Sequence, residues 1–249
     1  KDTKLLRDRK KDRTRKTILT EAEKLFTEKS YKNVFLDDIA EAAFISRATL
    51  YNYFKNKDDV FFAVGNQIYK DLNETIRMTL PAELSGKEQI LFLCEKTFKD
   101  GIDKPVILKT IQEFLDRIND RNLTTEEIYI DVTGKLGVNT LDNLVENLSR
   151  LEEVDLAKYF EEPHFIDFFI QLLINSDLWL KAVQKGKKDN TIKNDLEDMQ
   201  IVQYISILMN GMLYEMDLRQ TARDRFGLRA DTIITNSLNL IGIFLDRNV

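Results

Sequence analysis

Residues 46–57 combine arginine, asparagine, tyrosine, threonine and lysine side chains within one short stretch. Arg and Asn can make paired hydrogen bonds with base edges in the major groove of DNA, and Ala and Thr methyl groups can pack against thymine methyl groups. Tyr and Thr hydroxyl groups and Lys ammonium groups can hold phosphates. The stretch therefore indicates a DNA contact, for which the candidate residues are Arg47, Ala48, Thr49, Tyr51, Asn52, Tyr53, Lys55 and Lys57.

Two short helices, predicted over 36–43 and 47–54, would position these side chains. Ala40 provides the small residue that two steeply crossing helices need at their contact, and Ser46 can cap the second helix. The apolar positions that turn inward are Ile39, Ala43, Leu50 and Phe54. This arrangement predicts a helix-turn-helix. The pattern alone also fits an ordinary helical hairpin with a polar outer face.

Residues 14–64 resemble the N-terminal domain of the TetR family of bacterial regulators, over about a fifth of the chain. The matching residues are Leu25-Phe26, Ser30-Tyr31, Asp38-Ile39-Ala40, Ile45-Ser46, Thr49-Leu50-Tyr51, Tyr53-Phe54 and Lys57. The resemblance implies that Arg47, Ala48 and Tyr51 reach base edges. It also implies that Thr49, Tyr53 and Lys57 hold phosphates, and that Leu50 and Phe54 are core residues.

The first helix and the turn depart from the family pattern. Phe44 stands where the family usually has Gly, at a position that favours a positive φ. We expect either a differently built turn or a packed Phe44 side chain. Phe35 replaces the usual Ser or Thr cap, and Asp37 and Asp38 would repel a nearby phosphate. Basic residues of an N-terminal arm, predicted to be frayed over 1–13, could compensate in the adjacent minor groove. They are Arg7, Arg9, Lys10, Lys11, Arg13 and Arg15.

The charge is unevenly distributed along the chain. Residues 1–60 hold 15 Lys and Arg against 11 Asp and Glu, whereas the whole chain holds 37 against 42. A basic end on an acidic body is typical of a protein that meets a polyanion at one end only, although a solvated charged tail would give the same count.

Only 9 Gly and 3 Pro occur in 249 residues, which favours long helices. We predict an all-α fold with a DNA-binding domain at 1–60 and a helical effector-binding and dimerisation domain at 61–249. Helices are predicted over 14–29, from 57 onward, and over 87–100, 105–120, 125–149, 152–160, 164–185, 192–222 and 230–246.

The C-terminal region offers two further expectations. The apolar run 165–180 is either plain core or the wall of a pocket for a small, largely apolar effector. The resemblance implies that the last two long helices pair with those of a second copy. Their apolar spacing fits such a homodimer at Ile201, Tyr204, Ile205, Leu208, Met212, Ile233, Ile234, Leu238, Ile241 and Leu245. A two-fold dimer predicts a palindromic operator.

The remaining residues argue against several classes of protein. His164 is the only histidine, which excludes sites built on several histidines. We expect it at the surface, with a role in a pocket or in capping the helix that starts there as the alternatives. Cys94, the only cysteine, is expected in the core and indicates a reducing compartment. We find no enzyme signature and expect no cofactor or metal. No apolar run has the length of a membrane span, so we expect a cytoplasmic protein.

Three functional hypotheses follow. The first is a sequence-specific homodimeric repressor that a small, largely apolar effector releases from its operator. The alternative is a similar DNA-binding protein without a small-molecule ligand, controlled by a protein partner or acting as an activator. The third, a helical enzyme or scaffold without DNA binding, is favoured only by Phe44 and Asp37.

Overall fold

The computed structural model describes residues 2–29, 31–103, 125–137, 147, 159, 161–218 and 229–247. These residues form helices joined by turns, and no β-strand occurs among them, which confirms the predicted all-α fold. The predicted helix 105–120 and, apart from Tyr159, the predicted helix 152–160 lie outside the described residues.

The helices are numbered in chain order. They are α1 (Asp2–Glu28), a short 3-10 helix (Tyr31–Asn33), α2 (Leu36–Ala42), α3 (Arg47–Tyr51), α4 (Lys57–Thr79), α5 (Gly86–Asp103), α6 (Thr125–Leu136), α7 (His164–Lys188), α8 (Asp198–Leu218) and α9 (Ala230–Asp246). None of these helices is both long and apolar enough to cross a lipid bilayer.

Helix α1 begins at Asp2, so the prediction of a frayed segment over residues 1–13 is wrong. The segment contains no Gly or Pro and is rich in Lys, Arg and Leu, which are good helix formers. The side chains of residues 6–13 are all exposed. Residues 6–13 therefore form a helical extension of α1 that propensity maintains without burial of their side chains.

Other predicted boundaries also shift. The helix predicted over 125–149 ends at Leu136, because Gly137 turns the chain with a φ of 67°. The helix predicted to start at residue 192 begins at Asp198. The preceding residues form a turn in which the Asn194 side chain donates to the carbonyl of Phe244, at 2.9 Å. The helix predicted over 164–185 continues to Lys188.

The chain divides into two compact units, Lys1–Lys70 with Lys109–Leu172, and Asp71–Leu108 with Leu173–Val249. Helices α4 and α7 each contribute residues to both units. The functional boundary between residues 60 and 61 stays a prediction, because these units describe packing alone.

Aromatic side chains dominate the core of the first unit. Phe26 packs against Tyr31 and Phe61, with ring centroids 5.9 and 5.7 Å apart. The next residue, Phe62, packs against Phe165 with ring centroids 5.4 Å apart. All of these rings are buried. The start of α4 is thereby fixed against α1 on one side and α7 on the other.

The second unit has an aliphatic core from α4, α5, α7, α8 and α9. A Cβ atom added to Gly86 would lie 1.9 Å from the backbone nitrogen of Gly186, so α5 and α7 can approach this closely only with glycine at the contact. Five residues that the sequence assigned to the dimer interface are buried in this core. They are Ile201, Ile205, Ile234, Ile241 and Leu245. Helical spacing identified these apolar stripes but not which helices cover them.

Candidate nucleic-acid interface

Helices α2 and α3 form the helix-turn-helix that the sequence predicts. The Ser46 Oγ accepts a hydrogen bond from the backbone N–H of Thr49 at 3.0 Å and caps α3. Leu50 and Phe54 are buried, as are Ile39 and Ala40 on the facing helix. Because these residues turn inward, Arg47, Ala48, Tyr51 and Asn52 lie exposed on the outer face, with Thr49 and Tyr53 half-buried beside them.

The turn keeps the backbone of a glycine turn although it carries Phe44. Phe44 has a φ of 54°, and its side chain is 96% exposed. The backbone N–H of Ile45 donates to the carbonyl of Ala40 at 2.9 Å and closes the turn. Neither expectation holds, because the turn is not rebuilt and the ring does not pack. A left-handed conformation costs a residue with a Cβ atom about 1 kcal/mol.

Arg47, the first residue of α3, is held by two neighbours. Its Nη1 donates to the Asp37 Oδ2 at 3.1 Å, and its Nη2 donates to the Tyr51 Oη at 3.3 Å. The hydrogen bond with Tyr51 and the charge of Asp37 raise the pKa of Arg47 above its ordinary value. The guanidinium therefore stays charged at the surface, with its planar donor fork already oriented.

The two acidic residues at the start of α2 have different roles. The backbone N–H of Phe35 donates to the Asp38 Oδ2 at 2.9 Å, so the Asp38 side chain caps the N-terminus of α2. Phe35 itself offers no side-chain cap, as the sequence indicated. Asp37 takes no part in capping, and its carboxylate points to Arg47 instead.

The two candidate lysines are both engaged within the chain. The Lys55 ammonium group pairs with the Glu161 Oε2 at 2.9 Å. The Lys57 Nζ donates to the carbonyl of Tyr31 at 3.0 Å and lies 4.1 Å from the centre of the Tyr31 ring. A phosphate contact by either lysine stays a prediction.

A buried network at the start of α4 was missed by the sequence reasoning. Asp59 is 1% exposed and accepts hydrogen bonds from the backbone N–H of Lys55 at 2.8 Å and of His164 at 3.0 Å. The His164 Nδ1 lies 2.7 Å from the Asp59 Oδ1. The expected surface position of His164 is wrong. Its packing on the Phe54 ring, at 5.3 Å between centroids, also brings it against the short segment that joins α3 to α4.

The electrostatics of Asp59 follow from these contacts. Burial alone would raise the pKa of Asp59, but the hydrogen bonds from His164 and from the two backbone N–H groups outweigh it, so that the pKa lies below its usual value. Asn56 caps α4, since its Oδ1 accepts a hydrogen bond from the backbone N–H of Asp59 at 2.8 Å. Its amide nitrogen lies 3.2 Å from the Glu162 Oε1. No sequence signal links residues 55–59 with 161–164 across a hundred positions.

Neither a metal site nor a reactive thiol appears in the part of the chain that the structure describes. No group of three or more His, Cys, Asp or Glu side chains could hold a metal ion there. Cys94 is fully buried, as the sequence predicts, and burial raises the pKa of its thiol. It is a core residue.

Comparisons with known proteins agree with this geometry. Residues 18–64 match the family model for bacterial regulatory proteins of the tetR family. The chain is 29% identical over 76 residues to the HTH-type transcriptional regulator YhgD of Bacillus subtilis, covering 30% of this chain and 40% of YhgD. It is 29% identical over 148 residues to the TetC protein of transposon Tn10 from Escherichia coli, covering 58% of this chain and 73% of TetC. The chain thus spans less than half the length of some curated relatives.

The likeness in fold covers most of the chain. A crystal structure of the transcriptional regulator FadR from Bacillus subtilis in complex with stearoyl-CoA superposes with a TM-score of 0.58, at 15% identity, and covers 92% of this chain and 97% of FadR. Residues 18–64 therefore carry a helix-turn-helix domain similar to that of the tetR family of bacterial regulatory proteins, and the chain shares the fold of the solved FadR structure.

Proposed function

We propose that the protein is a homodimeric repressor that leaves a palindromic operator when a small, largely apolar effector binds its helical body. The observation that supports base reading by α3 is the exposed Arg47 guanidinium at the start of that helix, which Tyr51 orients. A guanidinium held in this way can pair with the O6 and N7 atoms of guanine. The predicted contacts around it are Ala48, Thr49, Asn52 and Tyr53, followed by Lys55 and Lys57.

The reading helix is tested by titrating duplex DNA from upstream of the protein's own gene. We expect Arg47→Ala and Tyr51→Ala each to weaken binding about tenfold or more, since a lost base contact costs about 1–3 kcal/mol. Lys70→Ala removes the same charge as Arg47→Ala, from an exposed position about 20 Å along α4 from Lys57, and should bind like wild type. Wild-type affinity in both test variants would refute the assigned surface.

Exposed apolar side chains on the last two helices support the dimer. Tyr204, Ile207 and Leu208 share one face of α8, and Leu240 and Ile243 share one face of α9. The Tyr204 ring lies 6.0 Å from the Phe244 ring, so the two stripes adjoin. Ile207 is 66% exposed, which is unfavourable for a large aliphatic side chain unless a partner covers it. A second copy of the same stripe is the self-complementary partner that two-fold symmetry provides.

The dimer is tested by light scattering after gel filtration. We expect Ile207→Glu to give a monomer, because a carboxylate in each stripe would be buried in an otherwise apolar interface. The matched control is Met78→Glu, which places the same charge at an 83% exposed apolar residue of α4. A dimeric Ile207→Glu protein would exclude this interface.

The contacts of Asp59 support a route by which an effector could act on the DNA-reading head. Helix α7 begins at His164, which is bound to Asp59, and runs on to Lys188. Just before it, Glu161 holds Lys55 and Glu162 holds Asn56. A shift of α7 would therefore be transmitted directly to the end of the helix-turn-helix. The likeness to an acyl-CoA-bound regulator favours an effector with a long apolar chain.

The effector is tested with fatty acids, long-chain acyl-CoA thioesters and hydrophobic cations. We expect one class to raise the melting temperature of the protein and to release it from DNA, and His164→Ala to bind the same compound while weakening that release. If every compound leaves both melting and DNA binding unchanged, control by a protein partner, or activation without a ligand, becomes the better account.

A further inference from the structure

The Asp37 carboxylate lies on the same surface as the proposed base-reading residues. It belongs to the first turn of α2, and its Oδ2 lies 3.1 Å from the Nη1 of Arg47, the first residue of α3. The side chains of Asp37 and Arg47 are 66% and 58% exposed. An anion on a surface that meets a polyanion is unfavourable unless it serves a purpose there.

Helix capping does not account for Asp37, since Asp38 performs that role. Asp38 accepts the backbone N–H of Phe35, whereas the Asp37 carboxylate contacts Arg47. That contact is with the residue proposed to bind guanine. The carboxylate that holds Arg47 therefore lies next to any base that Arg47 reads. DNA displaces water from it there, so the carboxylate needs a hydrogen-bond donor from a base.

The major groove offers this donor in a selective way. Guanine presents two acceptors and thymine one, and adenine presents an acceptor beside its amino group. Cytosine presents an amino donor without an adjacent acceptor, so it is the base that a carboxylate is best suited to accept from. A carboxylate beside the other bases would meet an acceptor and be repelled.

We propose that Asp37 is a specificity-determining residue, whose carboxylate accepts a hydrogen bond from the amino group of a cytosine next to the guanine that Arg47 reads. The inference rests on the proposed recognition surface. Asp37, an acidic residue that departs from the family pattern, would then contact a second base. Its carboxylate would disfavour the wrong base as well as favour the right one.

Selection of bound duplexes from a randomised pool tests the proposal with the full-length protein. We expect wild type to select a cytosine in each half-site at least fivefold over other bases. Asp37→Ala should lose the preference at that position alone, and Asp37→Asn should move it to adenine, which pairs with an amide side chain. The matched control is Glu41→Gln, which removes one exposed negative charge from α2 and should keep every base preference.

Two outcomes would overturn the proposal. One is an unchanged cytosine preference in Asp37→Ala and Asp37→Asn. The other is a change in the affinity of Asp37→Ala that is equal for all DNA sequences and that Glu41→Gln reproduces. Asp37 would then only repel DNA, without selecting a base. Arg47→Ala in the same pool separates this failure from that of the recognition surface. If Arg47→Ala also selects the wild-type site, the proposed recognition surface is wrong. If Arg47→Ala loses the guanine preference while Asp37→Ala keeps the cytosine preference, only the role of Asp37 is refuted.

Discussion

Two polar networks in the first unit differ sharply in burial. The Arg47–Asp37 pair on the proposed recognition face is more than half exposed, whereas the side chains of Asp59 and His164, at the start of α4 and α7, are only 1% and 17% exposed. An exposed ion pair contributes little to stability and can exchange partners at little cost. A buried carboxylate with several donors is costly to disturb. The exposed Arg47–Asp37 pair is thus suited to exchanging partners. The buried network is suited to holding the start of α4 against the start of α7.

The largest effect that follows from this contrast is on the folded state. Asp59→Ala leaves two backbone N–H groups and the His164 ring without their acceptor, so we expect it to lower the free energy of unfolding by about 3 kcal/mol. Urea unfolding followed by circular dichroism measures this. Glu74→Ala, an exposed change on the same helix, should stay within about 0.5 kcal/mol of wild type. An equal effect of the two substitutions would show that the network does not stabilise the fold.

Acid should remove part of the same stabilisation. The pKa of Asp59 is lower in the folded protein than its ordinary value of about 4, so its contribution is fully present above that value. It is lost as the pH falls through the lower, folded pKa. Unfolding curves from pH 7 down to 3 should therefore show a stability difference between wild type and Asp59→Asn that shrinks below about pH 4. A difference that stays constant with pH would contradict the assignment.

A smaller effect of opposite sign is expected at the turn. Phe44→Gly should raise the free energy of unfolding by about 1 kcal/mol, because glycine adopts a φ of 54° without strain and the exposed ring contributes no packing. Phe44→Ala removes the ring but keeps the Cβ atom, and should give no comparable gain. If both variants gain equally, exposure of the ring and not backbone strain is the cost.

The smallest effect on stability is expected at the recognition face. Asp37→Ala and Arg47→Ala should each change the free energy of unfolding by less than about 0.5 kcal/mol, as is typical of exposed ion pairs. Equal melting temperatures by scanning fluorimetry, measured beside the DNA-binding assays, would show that these residues act on DNA and not on folding. A loss near that of Asp59→Ala would mean that the pair belongs to the structural network.

The recognition helix was predictable because its signals are local. Leu50 and Phe54 lie four residues apart and turn to one side, and Ser46 caps the helix from the adjacent position. Asp59 and His164 lie 105 residues apart, so no periodicity could connect them. On α8, spacing found the apolar stripe of Ile201 and Ile205 but could not show that helices of the same chain cover it. In the more exposed stripe, spacing had named Tyr204 and Leu208, whereas Ile207 emerged only with the packing.

The ion pair between Lys55 and Glu161 has a consequence for how DNA binding responds to salt. Each lysine that neutralises a phosphate normally displaces a condensed cation, so the salt dependence of the affinity counts the contacts. A lysine taken from a neighbouring carboxylate leaves that anion beside the DNA, where it retains a cation. A phosphate contact by Lys55 would then add little to the slope of log affinity against log salt concentration. The number of phosphate contacts derived from that slope alone would be too small.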